Sequence, residues 1–189
     1  NDVLIEKEIH AFHSYGMTET ITHVAIKKIG FSGKEFYKIL DGISIEIVKG
    51  SLYINYPEIS DSIIETNDRV ELIDQYSFRW LGRLDHVINS GGIKISPEIL
   101  EMKISKGINT PFIFAGITDN RLGEKLVMIL QENSGIEALL NRDFFGRYVD
   151  KFEIPKAFCI VKHLEWKSNK IDRSATLEKA IQRGWEEIL

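Results

Sequence analysis

A short polar turn near the start of the chain carries residue types that bind phosphate and hard cations. Tyr15, Gly16, Thr18 and Glu19 lie together after an apolar approach. A threonine hydroxyl donates a hydrogen bond to a phosphate oxygen, and a carboxylate oxygen is a ligand for Mg²⁺. A capping motif explains the same residues, with Thr18 or Thr20 as the cap and Glu19 solvated. The residues alone leave both interpretations open.

A second acidic position, Asp68, follows Thr66 and Asn67 between two segments that we predict to be strands. A carboxylate at a strand end accepts hydrogen bonds from two vicinal hydroxyls, such as those of a ribose. An Asx-turn, in which the side chain bonds to the nearby backbone, is the alternative, and the spacing favours it.

The stretch 80–101, WLGRLDHVINSGGIKISPEILE, links two differently patterned parts of the chain. It carries Arg83 and Asp85 and then the pair Gly91-Gly92. Adjacent glycines indicate backbone that takes positive φ or that another group approaches closely. The stretch is therefore either a hinge with chemistry attached or an ordinary linker with a hairpin turn.

A polar, basic segment, 167–173, precedes the last predicted helix and includes Lys170. Most lysines in such segments are simply solvated. Lys170 gains a function only if a phosphate-bearing ligand lies within its reach.

The elements around these residues fall into two groups. Apolar and polar residues alternate with period two across 43–54, around Lys49-Gly50, which predicts a hairpin. Further short strands are predicted at 63–64, 70–73 and 78–81. Several short strands at close spacing favour a partial antiparallel β-barrel or sheet.

The region 86–189 alternates helices and strands, which favours a small α+β domain. The predicted strands are 111–117, 125–131 and 157–161, and the predicted helices are 96–106, 137–149 and one from Ser174 with Leu177, Ile181, Trp185 and Ile188 on one face. The fold class expected for the whole chain is α+β, a barrel or sheet subdomain followed by a lid-like α+β domain.

Composition excludes several classes of protein. The 189 residues carry a net charge of -4, which gives no general attraction to nucleic acid. No apolar run approaches the ~18 residues that span a bilayer, so no membrane insertion is expected. Cys159 is the only cysteine and lies in an apolar segment, which predicts core packing. A reducing, cytoplasmic compartment is the default.

Four clusters in a fixed order carry a family resemblance: SYGMTETITH at 14–23, TNDRVEL at 66–72, FRWLGRLDHVINSGGIKI at 78–95 and SNKIDR at 168–173. Together they resemble the later core motifs of the acyl-adenylate-forming superfamily, which includes the acyl-CoA synthetases. The SGG sequence makes the chain most similar to the o-succinylbenzoate–CoA ligases of menaquinone biosynthesis.

The resemblance implies a reaction in two steps. A carboxylate attacks the α-phosphate of ATP to give an acyl-adenylate and pyrophosphate, and the thiol of CoA then displaces AMP. It implies ATP, Mg²⁺ and CoA as cofactor and co-substrates, with a small carboxylic acid as partner, and leaves a homodimer open. We expect the chain to be the C-terminal part of a longer enzyme and to be inactive alone.

The resemblance also implies roles for the polar turn. Thr18 would bond to phosphate, and Glu19 would hold magnesium. Tyr15, next to Gly16, would lie near the adenine or the acyl group. Lys170 would bridge the nucleotide and the substrate carboxylate during adenylation.

The remaining implied roles concern ribose, CoA and domain motion. Asp68 and Arg83 would hold the ribose hydroxyls, and Asp85 would be the hinge. Gly91-Gly92 would face the pantetheine arm of CoA. The implied domains are the end of the adenylating domain at 1–82, the hinge at 83–85 and a mobile domain at 86–189.

Two departures from the family pattern are Asn67, where a glycine is usual, and Ile99, where an acid is common. The alternatives that stay open are another aryl or fatty acyl-CoA ligase, an adenylation domain that serves a carrier protein, and a non-catalytic nucleotide-binding or interaction module. Retention of Glu19, Asp68, Arg83 and Lys170 together favours an active enzyme, because a scaffold needs none of them.

Overall fold

Two units divide the chain, the first ending at Asp85 and the second beginning at His86. The computed structural model describes residues 10–29, 36–137 and 140–188. Among the described residues the first unit consists of β-strands with short 3-10 turns, and the α-helices lie in the second unit. The sheets are mostly antiparallel, and the predicted α+β class is confirmed for the chain.

The first unit is built from short strands whose alternate side chains enter one core. Its strands are β1 (Phe12–Gly16), β2 (His23–Lys28), β3 (Tyr37–Ile39), β4 (Ser44–Val48), β5 (Ser51–Asn55), β6 (Ile64–Glu65), β7 (Asp68–Asp74) and β8 (Ser77–Arg83). They form a five-stranded sheet in the order β1-β2-β3-β8-β7 and a three-stranded sheet, β4-β5-β6. Among the residues that the structure describes, these strands form open sheets and not a closed barrel.

The predicted hairpin at 43–54 is confirmed as β4 and β5. Ile45 pairs with Ile54, and Ile47 pairs with Leu52. Leu52 and Ile54 are fully buried beside Phe78 in the core of this unit. Period-two alternation therefore predicted both strands and the buried face of β5, whereas Ile47 of β4 is 39% exposed.

The second unit surrounds one sheet with helices. Its elements are β9 (Ile88–Ser90), β10 (Ile93–Ile95), α1 (Pro97–Ile104), β11 (Phe112–Asp119), β12 (Gly123–Gln131), α2 (Arg142–Phe145), β13 (Ala157–Val161), β14 (Trp166–Lys167), β15 (Lys170–Ile171), α3 (Arg173–Arg183) and β16 (Glu186–Glu187). The sheet order is β10-β9-β12-β13-β16, with β11 on β12, and β12 and β13 are parallel.

Both faces of this sheet are buried, which explains the continuous apolar run LVMIL in β12. Met128 and Leu130 face a core that includes Leu100 of α1 and Phe145 of α2. Val127 and Ile129 face a second core that includes Ala180 of α3. Cys159 lies in this second core and is 2% exposed, as predicted.

The predicted helix at 137–149 is wrong. Among the described residues of this segment the only α-helix is Arg142–Phe145, and Asn141 caps it by accepting a hydrogen bond from the backbone N–H of Phe144 at 2.9 Å. The cap starts a new helix in mid-segment, because an asparagine carbonyl satisfies a free N–H of the first turn. Phe144 and Phe145 then anchor that turn in the core.

The predicted apolar face of the last helix is only partly right. α3 ends at Arg183, so Trp185 and Ile188 lie beyond it. Leu177 and Trp185 pack against the second core, but Ile181 is 56% exposed. The buried positions of α3 are instead Thr176 and Ala180, whose small side chains allow close approach to the sheet.

Two isoleucine truncations should separate these environments. Ile129→Ala removes a fully buried side chain from β12 and should lower the free energy of unfolding by ~2–5 kcal/mol, through lost burial and a new cavity. Ile181→Ala should change it by less than ~0.5 kcal/mol, because that side chain is mostly solvated. Urea unfolding followed by circular dichroism measures both. Equal losses would contradict the assigned packing of α3.

Candidate functional site

A buried carboxylate on β7 is the centre of the candidate site in the first unit. Asp68 is 8% exposed. The hydroxyl of Tyr15 donates to its Oδ2 at 2.5 Å, and the indole Nε1 of Trp80 donates to its Oδ1 at 3.1 Å. These donors come from β1 and β8, so the five-stranded sheet brings together residues distant in the sequence. The carboxylate is thereby held in one orientation.

The two donors leave Asp68 with accepting capacity. A carboxylate has about four lone-pair sites, and each of its oxygens here has one side-chain donor. The backbone N–H of Asp68 donates to Thr66 Oγ1 at 3.0 Å, so the threonine, not the aspartate, makes the local turn contact. The Asx-turn alternative is therefore not what the structure contains, and the Asp68 side chain points to long-range partners.

Tyr15 is held between the core and this carboxylate. Its ring packs edge-on against Phe78 and Tyr37, with centroids 5.3 and 5.8 Å away. Burial raises the pKa of the Tyr15 hydroxyl far above its usual value, and the hydrogen bond to Asp68 raises it further. The hydroxyl is consequently a permanent donor, and its contact is to Asp68.

Arg83 lies opposite Asp68 in the β7–β8 register. Its guanidinium forms a two-point contact with Asp85, from Nε to Oδ1 at 3.0 Å and from Nη2 to Oδ2 at 2.9 Å. Both side chains are about half exposed, at 40% and 46%. An exposed pair of this kind contributes ~0–1 kcal/mol, so it is easily exchanged for another acceptor.

The polar turn after β1 forms a short 3-10 helix, Thr18–Thr20. Thr20 is the structural residue: it is fully buried, and its hydroxyl accepts from the N–H of Met17 at 3.0 Å and donates to the carbonyl of Thr22 at 2.8 Å. Thr18 and Glu19 are exposed. Thr20 therefore makes the capping contacts of the turn, and Thr18 and Glu19 are left exposed to solvent.

Glycine is required sterically at position 16, the last residue of β1. A Cβ at this position would lie 2.6 Å from the carbonyl oxygen of Thr22. The strand pairing shifts register between Tyr15 and Gly16, which brings the two backbone segments together. Any side chain here would push the polar turn away from β2.

Gly91 and Gly92 form the two-residue turn between β9 and β10. Their φ values are +61° and +83°, a pattern typical of a type I′ hairpin turn. No heavy atom would lie within 4 Å of a Cβ at Gly92, so backbone conformation alone accounts for that glycine.

Lys170 lies in a second hairpin of the same kind, in the segment predicted as a loop. β14 and β15 pair Lys167 with Lys170 across Ser168 and Asn169, whose φ values are +47° and +63°. Lys170 is exposed. Lys170 is thus on the surface, as predicted, but the hairpin that carries it was not predicted.

A polar cluster in the second unit was not predicted. Arg173 bonds to Glu101 through both carboxylate oxygens, at 2.7 and 2.6 Å. The carboxylate of Glu98 accepts a hydrogen bond from Nδ1 of His86 at 2.5 Å and lies 3.8 Å from Arg173. Burial raises the pKa of Glu98, but the hydrogen bond to His86 and the charge of Arg173 outweigh it and lower that pKa.

Comparison with known proteins gives relatives of one kind. No family model matches the chain. The 2-succinylbenzoate–CoA ligase of Bacillus cereus is 21% identical over 198 residues, 89% of this chain and 41% of that enzyme. The chain thus spans less than half the length of the curated relatives that it matches.

Solved structures agree with those relatives. The o-succinylbenzoate coenzyme A synthetase of Bacillus subtilis, in complex with ATP and magnesium, matches with a TM-score of 0.78 and 22% identity over 93% of this chain and 43% of that chain. The same enzyme with its acyl-adenylate intermediate gives 0.76 and 22% over 92% and 42%.

The chain has an acyl-CoA synthetase fold. This fold accounts for the two units, the mostly antiparallel sheets and the few helices described above. The first unit brings Tyr15, Asp68 and Arg83 to one sheet, whereas Lys170 and Gly91-Gly92 belong to different sheets of the second unit.

The residues available for Mg²⁺ fit the usual way in which proteins bind that ion. Within residues 10–29, 36–137 and 140–188, no three acidic, histidine or cysteine side chains form a metal cluster. Magnesium is commonly held by one or two carboxylates together with substrate phosphates and water. The exposed carboxylate of Glu19 in this acyl-CoA synthetase fold suits that arrangement. In the same described part, no helix is long and apolar enough to cross a membrane.

The state of Tyr15 can be tested by titration. In the native protein Tyr15 should contribute nothing to the tyrosinate absorbance that appears near pH ~10, because its pKa is raised far above that range. Tyr15→Phe should therefore leave the native absorbance rise unchanged and should reduce only the additional rise on unfolding.

The same shift has a consequence for stability at alkaline pH. Tyr15 keeps its proton in the native state but loses it in the unfolded chain above pH ~10, so stability should fall as pH rises. Tyr15→Phe should make that alkaline loss smaller. A native titration step that disappears in Tyr15→Phe would show that the hydroxyl ionises normally.

Proposed function

We propose that this chain supplies part of the nucleotide site and the mobile domain of an ATP-dependent acid–CoA ligase, with o-succinylbenzoate as the acid. The observation that carries the proposal is the similarity to 2-succinylbenzoate–CoA ligase across 89% of this chain. In this proposal residues 1–82 end the adenylating domain, 83–85 are the hinge and 86–189 are the mobile domain. ATP and CoA as co-substrates imply a cytoplasmic location.

The first half-reaction joins two anions. A carboxylate oxygen of the acid forms a bond to the α-phosphorus of ATP, the bond to the bridging oxygen breaks, and pyrophosphate leaves. Residues that stabilise the added negative charge lower the barrier most effectively. The exposed hydroxyl of Thr18 donates to a phosphate oxygen, and Glu19 would hold Mg²⁺, which neutralises phosphate charge when bound.

Lys170 supplies the cation of this step. Its ammonium is exposed beside the turn of a hairpin. The charge acts by electrostatic attraction to the phosphate and the substrate carboxylate, without proton transfer.

Asp68 and Arg83 position the ribose. Asp68 is fixed by Tyr15 and Trp80 and retains accepting capacity for two hydroxyls. Arg83 is opposite it in register and reaches a ribose oxygen by exchanging part of its exposed contact with Asp85. That exchange also gives Asp85 a role, because the backbone that carries it becomes free to turn.

The second half-reaction forms the thioester. The sulfur of CoA forms a bond to the acyl carbon, the bond from that carbon to the AMP oxygen breaks, and the thiol proton goes to solvent. A rotation at residues 83–85 exchanges Lys170 for the Gly91-Gly92 turn at the nucleotide. Hinges of this kind absorb a large change in a few backbone angles.

Lys170 should act in one half-reaction only. In the natural protein that contains these residues, Lys170→Ala should lower adenylation, measured as acid-dependent pyrophosphate release, by ~10²–10³-fold, as for loss of one electrostatic donor. The rate at which added acyl-adenylate and CoA form the thioester should change less than ~twofold, because Lys170 acts only in adenylation. An equal loss in both half-reactions would indicate misfolding. Lys167→Ala, across the same hairpin, is the matched control.

A protein with unaltered adenylation after Lys170→Ala would contradict this role. Absence of pyrophosphate release with o-succinylbenzoate and with a panel of aryl and fatty acids would reject the ligase proposal. Release with another acid would identify a related ligase.

Asp68 should act through nucleotide binding. Asp68→Asn removes the charge that accepts the ribose hydroxyls and should raise the KM for ATP about 10–100-fold, as expected for losing a charged hydrogen bond of ~1.5–3 kcal/mol. Asp74→Asn, at the other end of β7, keeps an oxygen for the N–H of Tyr76 and should leave KM unchanged. Equal KM values for the two variants would remove Asp68 from the site.

A further inference from the structure

A partly buried ion pair lies at the base of the hairpin that carries Lys170. Arg173 is the first residue of α3 and comes three positions after Lys170. Its guanidinium bonds to both oxygens of Glu101 on α1, at 2.7 and 2.6 Å, and to the carbonyl oxygen of Phe114 on β11 at 3.1 Å. Three elements of the second unit therefore meet at one side chain.

Glu101 is itself held in place. Its Oε1 also accepts from the backbone N–H of Phe114 at 2.8 Å. Arg173 and Glu101 each keep 20% of their side-chain area exposed. Burial raises the pKa of Glu101 above its usual value even though the hydrogen bond and charge of Arg173 lower it. The pair is thus rigid, directional and costly to bury.

The hairpin has few other contacts with the second unit, of which the packing of Ile171 against the second core is one. β14 and β15 are two residues each, and an isolated two-stranded hairpin is marginal in water. Trp166, Lys167 and Lys170 are exposed and bury little area. The chain leaves the hairpin at Asp172, whose N–H donates to the carbonyl of Glu165 at 2.8 Å and whose side chain caps α3. Arg173 follows directly.

We propose that Arg173 and Glu101 are positioning residues for Lys170, which rests on the adenylation role proposed above. The pair fixes the base of the hairpin on α1 and β11, so that the ammonium is presented from one place. Replacing a buried ion pair by neutral groups is often harmless to stability. A pair kept for stability alone would therefore be replaceable, whereas a pair kept for geometry would not.

The test uses a double variant, because either single change leaves a buried charge unpaired. Arg173→Met with Glu101→Gln removes both charges and keeps an oxygen for the N–H of Phe114. The matched control is Lys103→Met with Glu153→Gln, another pair in this unit at 2.8 Å, whose glutamine still accepts from Asp150. Urea unfolding establishes that both double variants fold.

The first readout is independent of activity. Backbone ¹⁵N relaxation of the 189-residue chain should show the Lys170 amide falling from the rigid range, S² ~0.85, toward ~0.6 in the Arg173–Glu101 variant. The S² values of the β12 amides should not change, and no amide of the control variant should change in S². Unchanged Lys170 order in the folded variant would overturn the proposal.

The second readout is the split between half-reactions in the natural protein. The Arg173–Glu101 variant should lose ~10–100-fold in kcat of adenylation with little change in the KM for ATP, because a misplaced charge costs that much. Thioester formation from added acyl-adenylate should be retained. Adding Lys170→Ala should lower the rate no further than Lys170→Ala alone, since the anchor acts through that lysine.

The outcomes separate this inference from the proposed function. If the unsubstituted protein adenylates the acid and the Arg173–Glu101 variant does so at the same rate, the positioning role is overturned and the ligase proposal stays intact. A natural protein that releases no pyrophosphate would reject the ligase proposal, while the relaxation data would still decide whether the ion pair orders the hairpin.

Discussion

The cost of burying a carboxylate is the constraint on which both units depend. Asp68 and Glu101 each leave water at the edge of an apolar core, and each is tolerable only because donors from separate elements meet it. Tyr15 and Trp80 serve Asp68, while Arg173 and Phe114 serve Glu101. Strand and helix positions that satisfy these oxygens are therefore fixed together, and the charged groups acquire defined directions.

Much of the fold could be predicted because its signals are local. Alternation around Lys49-Gly50 specifies a hairpin, and the unbroken run 126–130 specifies a strand covered on both faces. Where a local sequence pattern and tertiary packing favour different structures, the structure follows the packing. The segment 137–149 has helical composition, yet Asn141 and a pair of buried phenylalanines start a separate short helix. Ile181 has helical spacing but faces water because smaller residues suit the sheet.

The candidate site divides in the same way. Tyr15, Thr18, Glu19, Asp68 and Lys170 could be named from motifs, since each motif is continuous in the sequence. Their partners could not, because the contacts are long-range: Trp80 reaches Asp68 across 12 positions and Arg173 reaches Glu101 across 72. The roles that motifs suggest for the named residues remain predictions, while their placement is a property of the fold.

The seclusion of Cys159 has a practical consequence for spectroscopy. It is the only thiol in the sequence, and it is 2% exposed with its sulfur near the carbonyl of Ala180. Burial also raises its pKa, which leaves little thiolate near neutrality. A cysteine introduced on each unit would accept a fluorophore or spin label far faster than Cys159. Donor–acceptor distances between the two labels would then test the proposed domain rotation in solution without removal of the native sulfur.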